Sequence, residues 1–242
     1  MRAFSAAGAW GCAALAVLTV QSTAGLRSAH PVPKEQLEAQ VLELLRHQNL
    51  RAIKTGALGT AEGVRTVLEL VRQKSELPLV VDPVLVATRA HDGARLLDAE
   101  GLVAMKELCA QATLVTPNVT EAEALTGMSI ETVQDSMEAA KKIVALGARA
   151  AVVTGGHLEG DAIDALATRT TSLELPAARV PGSAMHGSGC TFASLVTGRL
   201  AIAERPIDEE ALIDAVRWAK AKVTDWIEGA RYVGEGLRVL GG

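Results

Sequence analysis

Residues 78–83 read Pro-Leu-Val-Val-Asp-Pro, an apolar run with no polar side chain inside it, stopped by an aspartate and a second proline. A strand with one wet face alternates apolar and polar residues, whereas a strand covered by helices on both faces has no need to. The stretch therefore predicts a parallel sheet held between helices, and the flanking sequence agrees. Upstream, Ala61–Gln73 sets Val64, Leu68 and Val71 on one helical stripe, and Arg51–Thr55 reads as a short strand ending at Gly56. Before it, Pro33 opens a helix with Leu37, Val41, Leu44 and Leu45 on one face. Downstream, Leu97–Gln111 is helical, Ala112–Val115 is a strand, and the helix after Thr116-Pro117-Asn118 carries Glu121. Ile130–Leu146 forms a helix capped by Gly147, and Ala150–Val153 is another buried strand. Ala162–Ala167 and Ser172–Leu175 read as an antiparallel hairpin, and two helices follow, one to about Ala203 and one over Pro206–Glu228. The alternation runs without a linker or repeat, so the expectation is one α/β domain over residues 1–242.

Composition narrows the function. The chain has 242 residues, 49% hydrophobic and 21% charged, which excludes disorder and a fibrous fold. A net charge of −4, with 24 Lys and Arg spread along the chain, leaves no basic footprint for nucleic acid or an anionic membrane. Three Trp, one Tyr and two Phe are too few for a base-stacking platform. No run approaches the ~20 apolar residues of a membrane span. Cys12, Cys109 and Cys190 form no C-x-x-C pair, which fits a reducing compartment better than a disulfide or zinc framework. The opening segment, from Met1-Arg2 through Val20 to Ser22-Thr23-Ala24, can also be read as a secretory signal, and a secreted binding protein stays open on those residues alone.

Gln21, Asp82, Asn118 and the Thr154-Gly155-Gly156 turn each fall just past a predicted strand. That carboxyl edge is where open α/β sheets bind ligands, although each residue alone is also ordinary turn chemistry. His186-Gly187-Ser188-Gly189-Cys190-Thr191 runs straight into a helix. Glycines there let backbone N–H groups form an anion nest at the positive end of the helix dipole. The alternative is glycines for close packing and Cys190 as a small hydrophobe; a thiol in a first helical turn is otherwise expected to have a depressed pKa. Asn118 and Glu121, three residues apart at a helix start, offer hard oxygen ligands suited to Mg2+ with Asp82 beside them, or else simply cap the helix. Together these features describe a magnesium-nucleotide site without a Walker loop.

These residues resemble a known family. Lys54-Thr55-Gly56-Ala57-Leu58, Val81-Asp82-Pro83-Val84, Thr116-Pro117-Asn118-Val119-Thr120-Glu121 through Gly127, Thr154-Gly155-Gly156-His157 and His186 to Thr191 are similar, in order, to the motifs of hydroxymethylpyrimidine/phosphomethylpyrimidine kinases. The resemblance implies a ribokinase-like, three-layer αβα sandwich with a mostly parallel central sheet. It implies ATP and Mg2+, a small pyrimidine alcohol as substrate, a cytoplasmic homodimer, and neither nucleic-acid nor membrane partners. Carried onto this sequence, Gln21, Ala57 and Val84 meet the pyrimidine, and Thr154, Gly155, Gly156 and Asn118 meet the nucleotide. Asp82, Asn118 and Glu121 hold the metal, while Gly187, Ser188 and Gly189 cradle the transferred phosphoryl group beside Cys190, the catalytic residue. Ala87–Leu96 corresponds to a closing flap. The resemblance also recasts Ala6–Gly11 as a first helix and Leu15–Thr23 as a second strand. Family members carry a further N-terminal strand and a Gly-rich substrate segment that nothing here matches, so the chain reads as N-terminally truncated relative to them. Ala57 stands where many members carry Met, and Thr154 where some carry Lys. Pyridoxal kinase activity and a non-catalytic paralogue remain the alternatives.

Overall fold

The structure, a computed structural model, describes residues 1–85, 97–156, 158, 160–180 and 185–241. Its first helix, α1 (Arg2–Ala6), lies earlier than the expected Ala6–Gly11, because Gly8 at φ +84° takes a left-handed conformation that ends the helix. Next, β1 (Val17–Ser22) and β2 (Gly25–Pro31) form an antiparallel hairpin of their own, with a register shift between Val20 and Gln21. The second strand of the pair carried no clear signal in the sequence, since Thr23-Ala24 is not an Asn-Gly type hairpin turn.

The main sheet follows from the alternation already described. In chain order come α2 (Lys34–His47), β3 (Ile53–Thr55), α3 (Ala61–Arg72), β4 (Leu79–Val81), α4 (Ala99–Cys109), β5 (Leu114–Val115), α5 (Val119–Thr126), α6 (Val133–Ala145) and β6 (Ala150–Val153). The hairpin β7 (Asp164–Thr168) and β8 (Ser172–Leu175) completes a six-stranded sheet ordered β3-β4-β5-β6-β7-β8. Strands β3 to β6 are parallel and the last two pairings antiparallel, as expected. A two-residue strand, β9 (Met185–His186), then leads into α7 (Ser188–Ile202), and α8 (Glu209–Glu228) precedes β10 (Arg238–Val239), which pairs with β9 in parallel.

Alternation along the strands divides the core into two layers. Val81, Val115, Ala151 and Val153 pack with Val64, Leu68, Met105, Leu108 and Ile143 from α3, α4 and α6. Val80, Leu114, Ala150 and Val152 pack on the other face with Leu195, Val196 and Leu200 of α7 and Leu212, Val216 and Val223 of α8. Helices on both faces make this an α/β fold in three layers.

Several helices begin later than periodicity alone suggests, and in each case a capping side chain sets the start. Asp98 accepts the Gly101 N–H ahead of α4, Thr132 and Asp135 form a capping box ahead of α6, and Asp208 accepts the Ala211 N–H ahead of α8. Among the described residues no helix is long and apolar enough to cross a membrane.

Candidate active site

Because β3 to β6 are parallel, their carboxyl ends open onto one edge of the sheet. Asp82 follows β4 directly and is buried, and its Oδ2 pairs with Lys54 Nζ of β3 at 3.2 Å. The hydroxyls of Thr55, which ends β3, and Thr116, which follows β5, flank Asp82 in the sheet; both are buried without a partner among the described residues. Unsatisfied hydroxyls at a strand edge are sites for water or a ligand oxygen. Lys54 stood inside a quoted motif without an assigned role. A lysine in a short strand bordered by apolar residues was the signal, since buried lysines require a partner.

Asn118 is the N-cap of α5: its Oδ1 accepts the Glu121 N–H at 2.9 Å, and Glu121 Oε2 accepts the Asn118 N–H at 2.9 Å. The helix-capping alternative is therefore present in the structure. Glu121 has a second character, because burial pushes its carboxyl up to about 7. Backbone N–H groups of Asn118 and Leu85 pull the value down, while the charge of Asp82 raises it further. A buried carboxylate facing a second one is electrostatically unsettled, and among the described residues Lys54 is the cation that pairs with Asp82.

Cys190 is the third residue of α7 and closes the cluster. Its thiol is not depressed, as the helix terminus led one to expect, but pushed up to about 12: desolvation comes first, then the charge of Asp82, with which it also hydrogen-bonds. Lys54 acts the opposite way and Glu121 adds to the rise. Burial first, and then two carboxylates brought from other elements, raise a thiol that the helix end alone would lower. By surface area Cys190 is exposed, yet its sulfur is desolvated, which suits a side chain at the lip of a cleft, open on one side and crowded on the other. At neutral pH it is a neutral thiol donating to Asp82.

Gly187, at φ +83°, precedes α7 with no side-chain cap, and among the described residues nothing beyond the adjacent chain lies within 4 Å of where a Cβ would stand at Gly187 or Gly189. The first bond inside the helix runs from Thr191 N–H to Gly187 O. The amides of Ser188, Gly189 and Cys190 precede it and have no carbonyl within the helix to accept them. Space and unclaimed donors thus coincide at this terminus.

The Gly-Gly turn divides its labour. Thr154 sits beside Asn118 in an isolated parallel bridge, its N–H bonded to Pro117 O at 2.9 Å. Gly155 donates its N–H to Asp164 Oδ1 at 2.9 Å, and a Cβ there would stand 1.8 Å from Ile163 O, so this glycine is required by packing and its amide is committed. Gly156 is exposed, with nothing among the described residues within 4 Å of where its Cβ would stand, and Arg179 holds its carbonyl at 2.8 Å. Asp164 and Arg179 were missed because each acts on backbone far away along the chain.

Gln21 does not join this edge. It lies within β1 of the separate hairpin and is exposed, opposite Leu26. A strand pattern predicts a strand without saying which sheet it enters. Ala57 and Val84, after β3 and β4, are half-buried next to the cluster in sequence. The expected flap, Ala87–Leu96, lies outside the described residues, as does His157. Among the described residues no group of three or more His, Cys, Asp or Glu is placed to hold a metal.

The family model described as phosphomethylpyrimidine kinase matches residues 1–240. The chain belongs to the phosphomethylpyrimidine kinase family. The hydroxymethylpyrimidine/phosphomethylpyrimidine kinase of Aquifex aeolicus is 31% identical over 99% of this chain and 91% of that protein. The enzyme of the same description from Streptomyces coelicolor is 36% identical over 98% and 85%. Among solved structures, a Bacillus subtilis pyridoxal kinase in complex with ADP superposes with a TM-score of 0.86 at 30% identity, covering 99% of this chain and 88% of that one. The phosphomethylpyrimidine kinase of Clostridium difficile gives 0.77 at 28% identity, covering 92% and 89%. Family membership accounts for the order of the motifs, and the structure places all of their described site residues except Gln21 on or beside one sheet edge.

Proposed function

We propose that this chain, acting as one kinase domain, transfers the γ-phosphoryl group of ATP to the hydroxymethyl oxygen of 4-amino-5-hydroxymethyl-2-methylpyrimidine. It then phosphorylates the monophosphate to the diphosphate, in thiamine biosynthesis. The observation that carries the reading is the convergence of the Lys54–Asp82 pair and Cys190 on the open N-terminus of α7. Phosphoryl transfer depends on positioning and on neutralising charge, and that terminus offers donors for both. The nucleotide would lie along the carboxyl edge past Thr154, Gly156 and Asn118, with its terminal phosphate over Gly187–Gly189. Cys190 and Asp82 would orient the acceptor hydroxyl, and Ala57 and Val84 would touch the ring. A cytoplasmic homodimer belongs to the same proposal.

The donor set suits Mg2+: the charge of Asp82 adds to the cost of ionising the buried Glu121 carboxyl, and the oxygens of both are hard. Asp82, Asn118 and Glu121 would hold it, Glu121 through water since its carboxylate already accepts backbone N–H groups. When bound, the ion neutralises phosphate charge. Glu121 is a testable part of this. Its folded value of about 7 lies above the ordinary carboxylate range. Folding therefore favours its neutral form; that contribution is whole below the ordinary value of about 4.3 and is lost as pH rises through the folded one. The expected result is that Glu121→Gln gains Tm relative to wild type between pH 5 and pH 8, and that Mg2+ with ADP stabilises wild type more than the variant at pH 8. Parallel curves with equal Mg2+ response would remove Glu121 from the metal site.

Pyridoxal is the second substrate to weigh, because a structure of Staphylococcus aureus pyridoxal kinase in complex with AMP-PCP and pyridoxal superposes with a TM-score of 0.86. Turnover of the pyrimidine alcohol and of pyridoxal, measured side by side with ATP, decides. Preference for the pyrimidine by kcat/KM supports the reading, preference for pyridoxal replaces it, and ADP release indifferent to both alcohols overturns both.

A further inference from the structure

We infer that Lys220 of α8 is a positioning residue for the nucleotide, fixing the Gly155–Gly156 turn through Asp164; the inference rests on the kinase reading above. Lys220 Nζ lies 2.8 Å from Asp164 Oδ2 and donates to Ala162 O at 2.8 Å. The other oxygen of the same carboxylate, Oδ1, accepts the Gly155 N–H at 2.9 Å. Both oxygens of Asp164 are thus occupied, one by α8 and one by the turn. The side chains are 14% and 6% exposed, so the pair is shielded from water.

Cohesion alone does not explain such a pair. Two buried charges stabilise a fold no better than apolar residues of the same shape, because desolvation offsets their attraction. A carboxylate can do something that a leucine cannot: it holds the amide of a glycine at a set point. Gly155 has no freedom left, with Ile163 O where its Cβ would be and Asp164 on its N–H. Gly156, the next residue, faces open space, and Arg179 ties its carbonyl and that of Gly160 from the other side. The turn is gripped from two directions while, among the described residues, no acceptor takes up the amide of Gly156, which leaves it for a ligand. Burial pushes the Asp164 carboxyl up, and Lys220 opposes that rise, so the lysine favours the ionised form that accepts the Gly155 amide most strongly. Lys220 stands beside the apolar stripe of α8, where its long stem can pack while its head reaches the sheet.

The test uses Lys220→Met, close in volume and uncharged, with Lys220→Arg as the conservative partner and Asp164→Asn as a second route. Wild type and variants are compared in kcat, in KM for ATP and for the pyrimidine alcohol, and in ADP affinity by calorimetry. Circular dichroism and Tm report folding. For Lys220→Met, KM for ATP and the ADP Kd are expected to rise about ten- to a hundredfold, the range found when a group behind a ligand contact is removed. Both kcat and KM for the alcohol should stay within about threefold, as for loss of a binding interaction shared by ground and transition states. Lys220→Arg should recover most of the affinity, and Asp164→Asn should weaken ADP binding in the same sense. If the methionine variant fails to fold, the arginine and asparagine variants carry the comparison. Folded variants that bind ADP within twofold of wild type would overturn the inference, as would kcat and both KM values moving together with the folded fraction. Wild type that binds no ADP at all would bring down the kinase reading and this inference with it; wild type that binds ADP tightly beside an equally tight Lys220→Met leaves the kinase reading intact and sinks only the role of Lys220.

Discussion

Cys190→Ala is expected to lower kcat by about 10²–10³ while leaving ADP affinity near that of wild type. A general base at this position would predict a loss of about 10²–10⁴. Yet a thiol pushed up to about 12 and hydrogen-bonded to Asp82 is not a base at neutral pH. Its contribution is instead that of a neutral donor held in place, whose removal costs about 10²–10³ in related settings. The distinction can be measured in two ways. Serine supplies a neutral donor of similar size, so Cys190→Ser should keep at least about a tenth of the wild-type kcat, within the spread of a single hydrogen bond. The wild-type kcat profile should also show no ionisation of a thiol between pH 6 and pH 9, because a raised value keeps the proton on sulfur throughout. A serine variant as inactive as alanine, joined to a rising limb in that pH range, would restore the thiolate. Turnover unchanged in Cys190→Ala would make the residue a lining of the cleft only.

The way Cys190 was misjudged shows where the sequence is legible and where it stops being so. Strands β4, β5 and β6 were readable because burial on both faces demands uninterrupted apolar runs, and Leu79–Val81, Leu114–Val115 and Ala150–Val153 comply. Asp82, Asn118 and Thr154 were readable as edge residues because a polar residue that ends such a run must emerge at the strand terminus. Long-range pairing was not readable. The thiol of Cys190 answers first to its burial and then to Asp82 and Glu121, which arrive from other elements, while local reasoning sees only the helix that carries it. Lys54 and Asp82 meet because β3 and β4 are neighbours in the sheet, and Asp164 and Lys220 meet because α8 folds back over the hairpin. Gln21 lies off the main-sheet edge for a related reason: the resemblance reads Leu15–Thr23 as a strand, and only the sheet order shows that, among the described residues, β1 pairs with β2. Strands β9 and β10, two residues each, are shorter than any pattern can register.

Lys54→Met is expected to destabilise the protein by about 3–5 kcal/mol, the cost of removing one partner of a buried ion pair, and to reduce turnover with it. The lysine side chain is 13% exposed and that of Asp82 6%, so solvent cannot take over the neutralisation. Without the ammonium, Asp82 would stand beside Glu121 without its ion-pair partner, and Glu121 is already pushed up to about 7 with Asp82 contributing to that rise. The chain also commits space to the pair, since a Cβ on Gly56 would stand 3.1 Å from Lys54 Nζ. If charge is the cause, removing the second charge should cure the first defect. Lys54→Met with Asp82→Asn should therefore recover most of the lost stability in urea unfolding, while activity stays low because the carboxylate that orients Cys190 is gone. A double variant no more stable than Lys54→Met would mean that the lysine acts by packing its stem over Gly56 rather than by neutralising Asp82. Recovery of activity along with stability would remove Asp82 from the chemistry. The same pair of variants thus separates what Lys54 does for the fold from what Asp82 does for the reaction: the first depends only on whether two charges balance, the second on which oxygen remains at the end of β4.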